Sequence, residues 1–447
     1  MDLLSEIRQS RMSRFQVVAV AIALTLIMID GFDVAVMSYV APVLSREWDI
    51  DPVTLGFLLS ATLFGMAAGS IFLTPLGDRI GRRKLTIISV VVISIGMVLS
   101  VFSTGTTELM IYRILTGLGV GGMMANLNVL VAEYASDKWR GSIIGIYAAG
   151  YPIGATVGGL VAAPLIPAYG WQAVFGIGAA FTVLMLVVSL RFLPESLDYL
   201  LTRRPARAQE RINAILTKIG KAPVEQLPPV ALAGEEKGAI QEVLTRPVRF
   251  RTLMLWIGYA CLVAAYYFAN TWTPKIMATA SGDDSLGVTT GVIANAGGII
   301  GCFIFSALAV KYRSQLLLVA TLTGAAAAYL LFGTVFSQVA LALALALFLG
   351  ILTTAGIAGF YAISPGIYTA QARATGVGWM IGLGRLVSIV APILVGYLVS
   401  GGWKPQNIFL LFAAPLAAAA LCIVALGISV KRTRAPLAPA AAAAAEH

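Results

Sequence analysis

The chain has 447 residues, of which 59% are hydrophobic and only 12% are charged, and its mean hydropathy is +0.88. A soluble fold of this length could not bury so much apolar surface, so the composition excludes an ordinary soluble protein and indicates a helical membrane protein. The net charge of +10 is spread over short segments between apolar runs. It therefore reflects membrane topology, and we expect no nucleic-acid partner.

Apolar windows of about 20 residues, the length that crosses a bilayer, occur twelve times and are numbered span 1 to span 12. The first six are predicted near residues 17–40, 54–76, 84–103, 108–131, 141–163 and 170–193, and the second six near 252–274, 287–310, 315–334, 339–361, 374–398 and 407–430. The longest polar interval separates the two sets, which suggests internal duplication. The predicted regions are an N-terminal six-helix bundle (1–196), a cytoplasmic linker (197–251), a C-terminal six-helix bundle (252–430) and a disordered cytoplasmic tail (431–447).

Positive charge is distributed unevenly between the two sides of the predicted membrane protein. Most of the 31 Lys and Arg residues fall on the side of both termini and the linker, whereas the other side holds only Arg46, Lys275 and Lys404. Loops rich in Lys and Arg stay in the cytoplasm. Both termini are therefore predicted to be cytoplasmic.

Four charged residues interrupt apolar spans. Asp30 and Asp33 lie in "LIMIDGFDVAVMSYVAP" (26–42) of span 1, Arg113 lies in span 4 and Arg385 in span 11. At 1.5 Å per residue, Asp30 lies roughly 20 Å into the membrane, and the other three fall at related depths. Because a buried charge costs several kcal/mol unless it is paired or faces water, we expect the four to line a polar cavity between the halves.

The segment "PLGDRIGRRKL" (75–85) after span 2, and Arg-x3-Gly-x-Gly-x-Gly-Gly starting at Arg113, carry a family resemblance. Both resemble signatures of the major facilitator superfamily, although Thr74 and Gly77 depart from the loop pattern. The resemblance implies an all-α membrane protein with the major facilitator fold, twelve transmembrane helices in two six-helix bundles. It also implies a cytoplasmic gate, for which the candidates are Asp78, Arg79, Arg82, Glu133, Arg140, Glu195 and Arg373. We expect Glu133 to pair with Arg140, either in this gate or as a solvated surface pair.

A narrower resemblance rests on Asp-Gly-Phe-Asp in span 1, Ala-Pro-x-Leu at 41–44 and "RATGVGWMIGLGR" at 373–385. Together they resemble the aromatic acid:proton symporter family within the superfamily. The resemblance implies proton-driven import of benzoate-like or hydroxybenzoate-like acids across the bacterial inner membrane by alternating access. The proton would be the coupling ion, with no other cofactor and no metal, and we expect a monomer in the lipid bilayer.

The residue chemistry agrees with an anion that has an apolar body. Arg385 offers a planar, bidentate grip on a carboxylate, and Arg113 and Asp33 are further candidates for substrate binding. The aromatic candidates that could enclose a ring are Tyr147, Tyr151, Tyr266, Tyr267 and Trp272, and the hydrogen-bonding candidates are Asn126, Asn270 and Asn295. Each aromatic residue also fits ordinary packing, and Trp272 fits an interfacial belt.

The two aspartates of span 1 are expected to carry the proton coupling together with Arg113. One carboxylate should pair with Arg113, while the other, desolvated and repelled by its neighbour, should take up a proton. We favour Asp30 as the partner of Arg113 and Asp33 as the proton carrier. The sequence leaves open the reverse assignment and a purely structural role for both aspartates.

Other functions fit the sequence less well. A carrier of another organic anion, a sugar importer and a drug exporter remain alternatives, but an arginine in each half disfavours neutral substrates. A membrane-embedded enzyme or a receptor is the alternative from another class. The only histidine is His447, and the cysteines Cys261, Cys302 and Cys422 lack ligand spacing, so no catalytic or metal site is predicted and the chain is not expected to be an enzyme. No Gly-x4-Gly-Lys-Ser/Thr motif occurs, so the energy must come from gradients.

Overall fold

The computed structural model describes residues 9, 12–225, 227, 243–335, 338–369 and 372–434. Within these residues, 12 helices are long and apolar enough to cross a membrane, as predicted. Spans 1–6 are Arg14–Glu47, Pro52–Phe72, Arg82–Val101, Thr106–Tyr134, Arg140–Tyr169 and Trp171–Phe192, and spans 7–12 are Arg246–Ser281, Asp284–Lys311, Ser314–Val335, Val339–Ile363, Arg373–Ser400 and Pro405–Arg434. Span 7 begins at Arg246, earlier than the hydropathy pattern predicts, because the helix continues into polar sequence.

The helices form two bundles with the same internal pairing. In the N-terminal half, span 1 packs on span 5, span 2 on span 4 and span 3 on span 6. The equivalent pairs in the C-terminal half are span 7 with span 11, span 8 with span 10 and span 9 with span 12. This repeated pairing is what internal duplication predicts.

Small residues allow the paired helices to approach backbone to backbone. A Cβ added at Gly31 in span 1 would overlap the backbone of Tyr151 in span 5. In the C-terminal half, a Cβ at Gly350 in span 10 would overlap the backbone of Ala294 in span 8. Close approach of this kind stabilises helix pairs where lipid provides no hydrophobic drive. These two glycines therefore serve helix packing.

The two halves contact each other mainly through spans 2 and 11 and through spans 5 and 8. Six spans precede the linker and six follow it, so the start of span 1, the end of span 6, the start of span 7 and the end of span 12 lie at one end of the bundles. This end is here called the linker end, and the opposite end is the far end. Near the far end, Gly56 packs on Pro392, and Arg46 forms an ion pair with Asp284. Toward the linker end of span 11, a Cβ at Gly378 or Gly382 would meet open space. The halves are therefore closed together at the far end and apart beside these two glycines.

The described part of the linker is partly helical. Two short helices, Leu197–Arg203 and Ala208–Ile219, follow span 6, and the second buries Ile212 and Leu216. Residues 226 and 228–242 of the predicted linker, and the predicted tail beyond Arg434, lie outside the described residues.

Candidate functional site

Arg113 and Asp33 form an ion pair inside the N-terminal half, and both side chains are fully buried. The prediction that Asp30 is the partner of Arg113 is wrong. Arg113 lies near the far-end start of span 4, and Asp33 is about 4.5 Å nearer to the far end than Asp30 at 1.5 Å per residue. Arg113 therefore pairs with Asp33, and it would have to extend further to reach Asp30.

Each nitrogen of the Arg113 guanidinium has a contact within the same half. Nε donates to Thr62 Oγ1 at 3.3 Å, Nη1 faces Met97 Sδ at 3.7 Å, and Nη2 donates to Asp33. The ring centroid of Phe175 lies 5.2 Å from the guanidinium carbon, within cation–π range. Spans 1, 2, 3 and 6 thus enclose Arg113, so the structure places this candidate substrate ligand away from the space between the halves.

Asp30 is fully buried, and neither of its carboxylate oxygens has a hydrogen-bond partner among the described residues. It lies close enough to Asp33 and to Arg385 for their charges to interact. An unpaired buried carboxylate is costly, and the cost disappears when a proton binds or a cation approaches. Of the two aspartates, Asp30 is therefore the one whose carboxylate has no hydrogen bond or ion pair among the described residues.

Arg385 is the partly buried cation of span 11, and its contacts are weak. Nη1 donates to the backbone oxygen of Met66 at 3.4 Å and Nη2 to Met124 Sδ at 3.5 Å. Both acceptors belong to the N-terminal half, so the guanidinium lies between the two halves. No carboxylate lies within ion-pair distance of Arg385 in the described part of the chain. Such a guanidinium retains capacity for an anionic ligand.

Two predicted tyrosines lie beside these charges. Tyr147 donates to the backbone oxygen of Met124 at 3.4 Å and is within electrostatic range of Asp30. Tyr267 is within electrostatic range of both Asp30 and Arg385, and its ring meets that of Tyr266 edge to face at 5.2 Å. The structure therefore places two of the predicted tyrosines near Asp30 and Arg385.

A chain of polar side chains crosses the two halves nearby. Asn295 donates to Asn270 at 3.3 Å and to Tyr39 at 3.3 Å, and Asn270 donates to Tyr151 at 3.5 Å. The two asparagines border a cavity of about 30 Å³, which has room for a water molecule but not for an aromatic ring. In this conformation the two asparagines hold the halves together and do not border space for a ring.

Two predicted site residues lie elsewhere. The buried indole of Trp272 donates to the backbone oxygen of Pro392 at 3.0 Å, two turns from Arg385 toward the far end. Asn126 donates to Gly122 in its own helix at 2.7 Å and packs on Gly77 at the linker end. Hydropathy predicts depth but not which way a helix is rotated, and these two side chains point away from the central charges.

Sequence reasoning missed several neighbours of the central charges. Tyr259 is within electrostatic range of Arg385, and its hydroxyl lies 3.1 Å from that of Tyr361. Tyr259 precedes Tyr266 by two helical turns, so the spacing offered a signal for one aromatic face of span 7. Met66 and Met124 contact Arg385 through a backbone oxygen and a thioether, and for them the sequence offered no signal.

Most of the predicted gate forms one cluster at the linker end. Arg82 pairs with Glu133, donates to Ser196 at 3.1 Å, and contacts Asp78 at 3.3 Å. Glu133 also accepts from the Ser196 hydroxyl at 2.8 Å. Arg82, at the start of span 3, thus reaches a carboxylate in span 4. Glu133 is thus paired with Arg82. The side chain of Arg140, the predicted partner of Glu133, lies outside the described residues.

The remaining gate candidates lie around this cluster. Glu195 accepts from the backbone nitrogen of Arg83 at 2.9 Å and faces Arg211 of the linker at 3.6 Å. Arg79 is exposed, and its backbone oxygen accepts from Tyr199 at 3.4 Å. Arg373 is in the other half, where it donates to Pro365 at 3.1 Å. The cluster thus ties the loop after span 2 to the linker.

The family model described as the Major Facilitator Superfamily matches residues 23–336, more than half of the chain. The chain belongs to the Major Facilitator Superfamily. It is a transporter and not an enzyme.

Relatives within the superfamily are named as aromatic acid transporters. The benzoate transport protein of Acinetobacter baylyi is 30% identical over 406 residues, covering 88% of this chain and 86% of its own. The gallate transporter of Pseudomonas putida is 30% identical over 422 residues, covering 92% of each chain. The 4-hydroxybenzoate transporter PcaK of Pseudomonas putida is 28% identical over 433 residues, covering 96% of each. These relatives confirm the predicted family.

Solved structures confirm the superfamily fold. The xylose transporter XylE from E. coli, in a partially occluded inward open conformation, has a TM-score of 0.70 and 17% identity, covering 92% of this chain and 99% of its own. The proton:xylose symporter XylE bound to 6-bromo-6-deoxy-D-glucose has a TM-score of 0.67 and 18% identity, covering 92% of this chain and 95% of its own.

The structure also explains how this chain departs from the superfamily's loop signature. A Cβ at Gly77, where the signature has alanine, would overlap the side-chain oxygen of Asn126. Thr74, where the signature has glycine, donates to the backbone oxygen of Gly121 at 3.4 Å. Gly81 is retained, and its φ of +105° is one that a side chain would strain. Gly77 and Asn126 therefore fit each other.

Proposed function

We propose that this protein imports aromatic carboxylates across the bacterial inner membrane together with protons, by alternating access. The observation that carries the proposal is Arg385, a guanidinium between the two halves whose contacts are a backbone oxygen at 3.4 Å and a thioether at 3.5 Å. The names of the relatives support the substrate class. The ring would lie against the tyrosines beside Arg385.

Asp30 supplies the link between proton and anion. Its charge and that of Arg385 interact, and neither oxygen of Asp30 is bonded within the described residues. When ionised, Asp30 competes with the substrate carboxylate for Arg385. When protonated, it leaves Arg385 free, so the anion binds best to the carrier that has taken up a proton.

The charge balance of the site favours joint movement of both species. Arg113 with Asp33, and Arg385 with ionised Asp30, give a central cluster of zero net charge. One proton and one anion leave that sum unchanged, whereas either alone adds a net charge to a buried site. The empty and the fully loaded carriers are thus the two forms with the smallest electrostatic cost of rearrangement.

The charge distribution indicates which end of the carrier faces the cytoplasm. The linker end holds most of the Lys and Arg residues, so we assign it to the cytoplasm. The far end, where the halves meet, would then face the periplasm, and release would occur past Gly378 and Gly382. Opening the far end requires separation of span 2 from span 11, where Ser60 now donates to the backbone oxygen of Ile389 at 2.8 Å.

The test is uptake of radiolabelled benzoate by proteoliposomes, with protein-free liposomes as the measure of passive diffusion. An inward proton gradient should drive accumulation, and neutral benzamide should neither accumulate nor compete. Arg385→Lys should bind benzoate much more weakly, because a point charge cannot replace the planar fork. Arg313→Ala, which removes an exposed arginine far from the site, is the control. Near wild-type binding by Arg385→Ala would contradict the assignment.

A further inference from the structure

A cavity near the far end lies outside the central site. It has a volume of about 490 Å³ and is lined by both halves, including Ser45 and Leu55 from one and Lys275 and Trp403 from the other. This is within the roughly 300–1,000 Å³ typical of small-molecule sites. We call it the far-end cavity.

A packed layer separates this cavity from Arg385. Gly56 lies against Pro392, Ser60 bonds Ile389 at 2.8 Å, and the Trp272 indole bonds Pro392 at 3.0 Å. Val399 of the cavity wall is about 21 Å along span 11 from Arg385, at 1.5 Å per residue. A ligand in the far-end cavity would therefore not contact the central charges.

The lining has one charged side chain on otherwise largely apolar walls. Lys275 is half-buried, donates to the hydroxyl of Ser45, and has no ion pair among the described residues. The carboxylate that acts on its charge, Asp284, is bound by Arg46. The half-buried ammonium of Lys275 can therefore accept an anionic ligand.

The walls fit a flat apolar body beside that cation. Trp272 and Trp403 both line the cavity, and Trp403, which is 44% exposed, offers most of the ring surface, since Trp272 is 2% exposed. Aromatic side chains offer large apolar contact area with preferred edge-to-face or offset stacking. One cation, the exposed indole of Trp403 and aliphatic walls match an aromatic carboxylate better than a sugar or a dianion.

We propose that the far-end cavity is a second binding site for aromatic carboxylates, in which Lys275 holds the carboxylate and Trp403 covers the ring. It loads the carrier, and the ligand passes to Arg385 when spans 2 and 11 separate. The ligand class rests on the proposed function. Because both halves form its walls, the cavity changes whenever the halves move.

The test is equilibrium binding of radiolabelled benzoate to the purified full chain. Wild type should bind at two sites, and Arg385→Ala should retain one. Adding Lys275→Gln to Arg385→Ala should weaken the remaining site by about tenfold or more, and Lys275→Arg should largely restore it. Trp403→Leu should weaken the same site without a change of charge, and benzamide should not compete for it.

Lys404→Gln is the matched control, since Lys404 is exposed at the same end and does not line the cavity. Its addition to Arg385→Ala should leave binding unchanged. A single wild-type site that Arg385→Ala abolishes would overturn this inference and leave the proposed function standing. Residual binding in Arg385→Ala that Lys275→Gln does not weaken would also overturn the inference. Absence of benzoate binding to wild type would overturn both.

Discussion

Arg113 is bonded to Asp33, whereas Asp30, one helical turn away on the same helix, has no hydrogen-bond partner for either oxygen within the described residues. Two aspartates of one motif therefore have different surroundings. Asp33 belongs to a closed ion pair within one half, and Asp30 faces the charge of Arg385 in the other. Neutralising Asp33 should therefore have different consequences from neutralising Asp30.

Asp30→Asn should uncouple the carrier. Without a titrating group at this position, exchange of bound substrate should continue, while accumulation driven by a proton gradient should be lost. Counterflow and gradient-driven uptake of benzoate in the same proteoliposomes measure the two activities. Asp49→Asn, an exposed aspartate beyond span 1, should leave both unchanged. Normal pH-dependent accumulation by Asp30→Asn would place the proton elsewhere.

The sequence predicts much of this arrangement but not its details. Hydropathy and the rise per residue locate Arg113 at the depth of the aspartates, and the contact with Asp33 confirms that depth. Asp30 and Asp33 share a helix face, however, so spacing alone could not decide which one meets Arg113. The location of Trp272 and Asn126 depended on helix rotation, and the pairing of Glu133 with Arg82 on how a loop folds back.

Asp33→Asn should destabilise the protein more than Asp30→Asn. It leaves the guanidinium of Arg113 buried without its counter-ion, which costs about 3–5 kcal/mol. The double variant Asp33→Asn/Arg113→Gln should recover part of that loss, because both charges are then removed. Thermal unfolding in detergent, with Asp49→Asn as the control, measures these differences. Equal melting temperatures for the single and double variants would show that the pair is not coupled.

Gly77→Ala should lower stability at the linker end. The new methyl group would overlap the side-chain oxygen of Asn126, and overpacking of this kind costs about 1–3 kcal/mol. Asn126→Ala removes the obstacle, so the double variant should be more stable than Gly77→Ala alone. The readout is the melting temperature of each variant. If Gly77→Ala is as stable as wild type, the two residues do not pack as described.

Gly382→Cys should report on the opening beside the central site. A side chain there meets open space and lies one turn from Arg385. In a background without Cys261, Cys302 and Cys422, a hydrophilic thiol reagent should label it, and benzoate should slow the labelling. Gly378→Cys, another turn toward the linker end, should be labelled with less protection. Protection of Gly378→Cys alone would contradict binding at Arg385.

The most direct measurement is the number of protons taken up when benzoate binds, obtained by calorimetry of the purified protein in buffers of different ionisation enthalpy. Over a pH series, wild type should approach an uptake of one proton for each anion that binds at the central site. Asp30→Asn should still bind benzoate and take up none. Binding to wild type without proton uptake, or unchanged uptake in Asp30→Asn, would contradict coupling through Asp30 and Arg385.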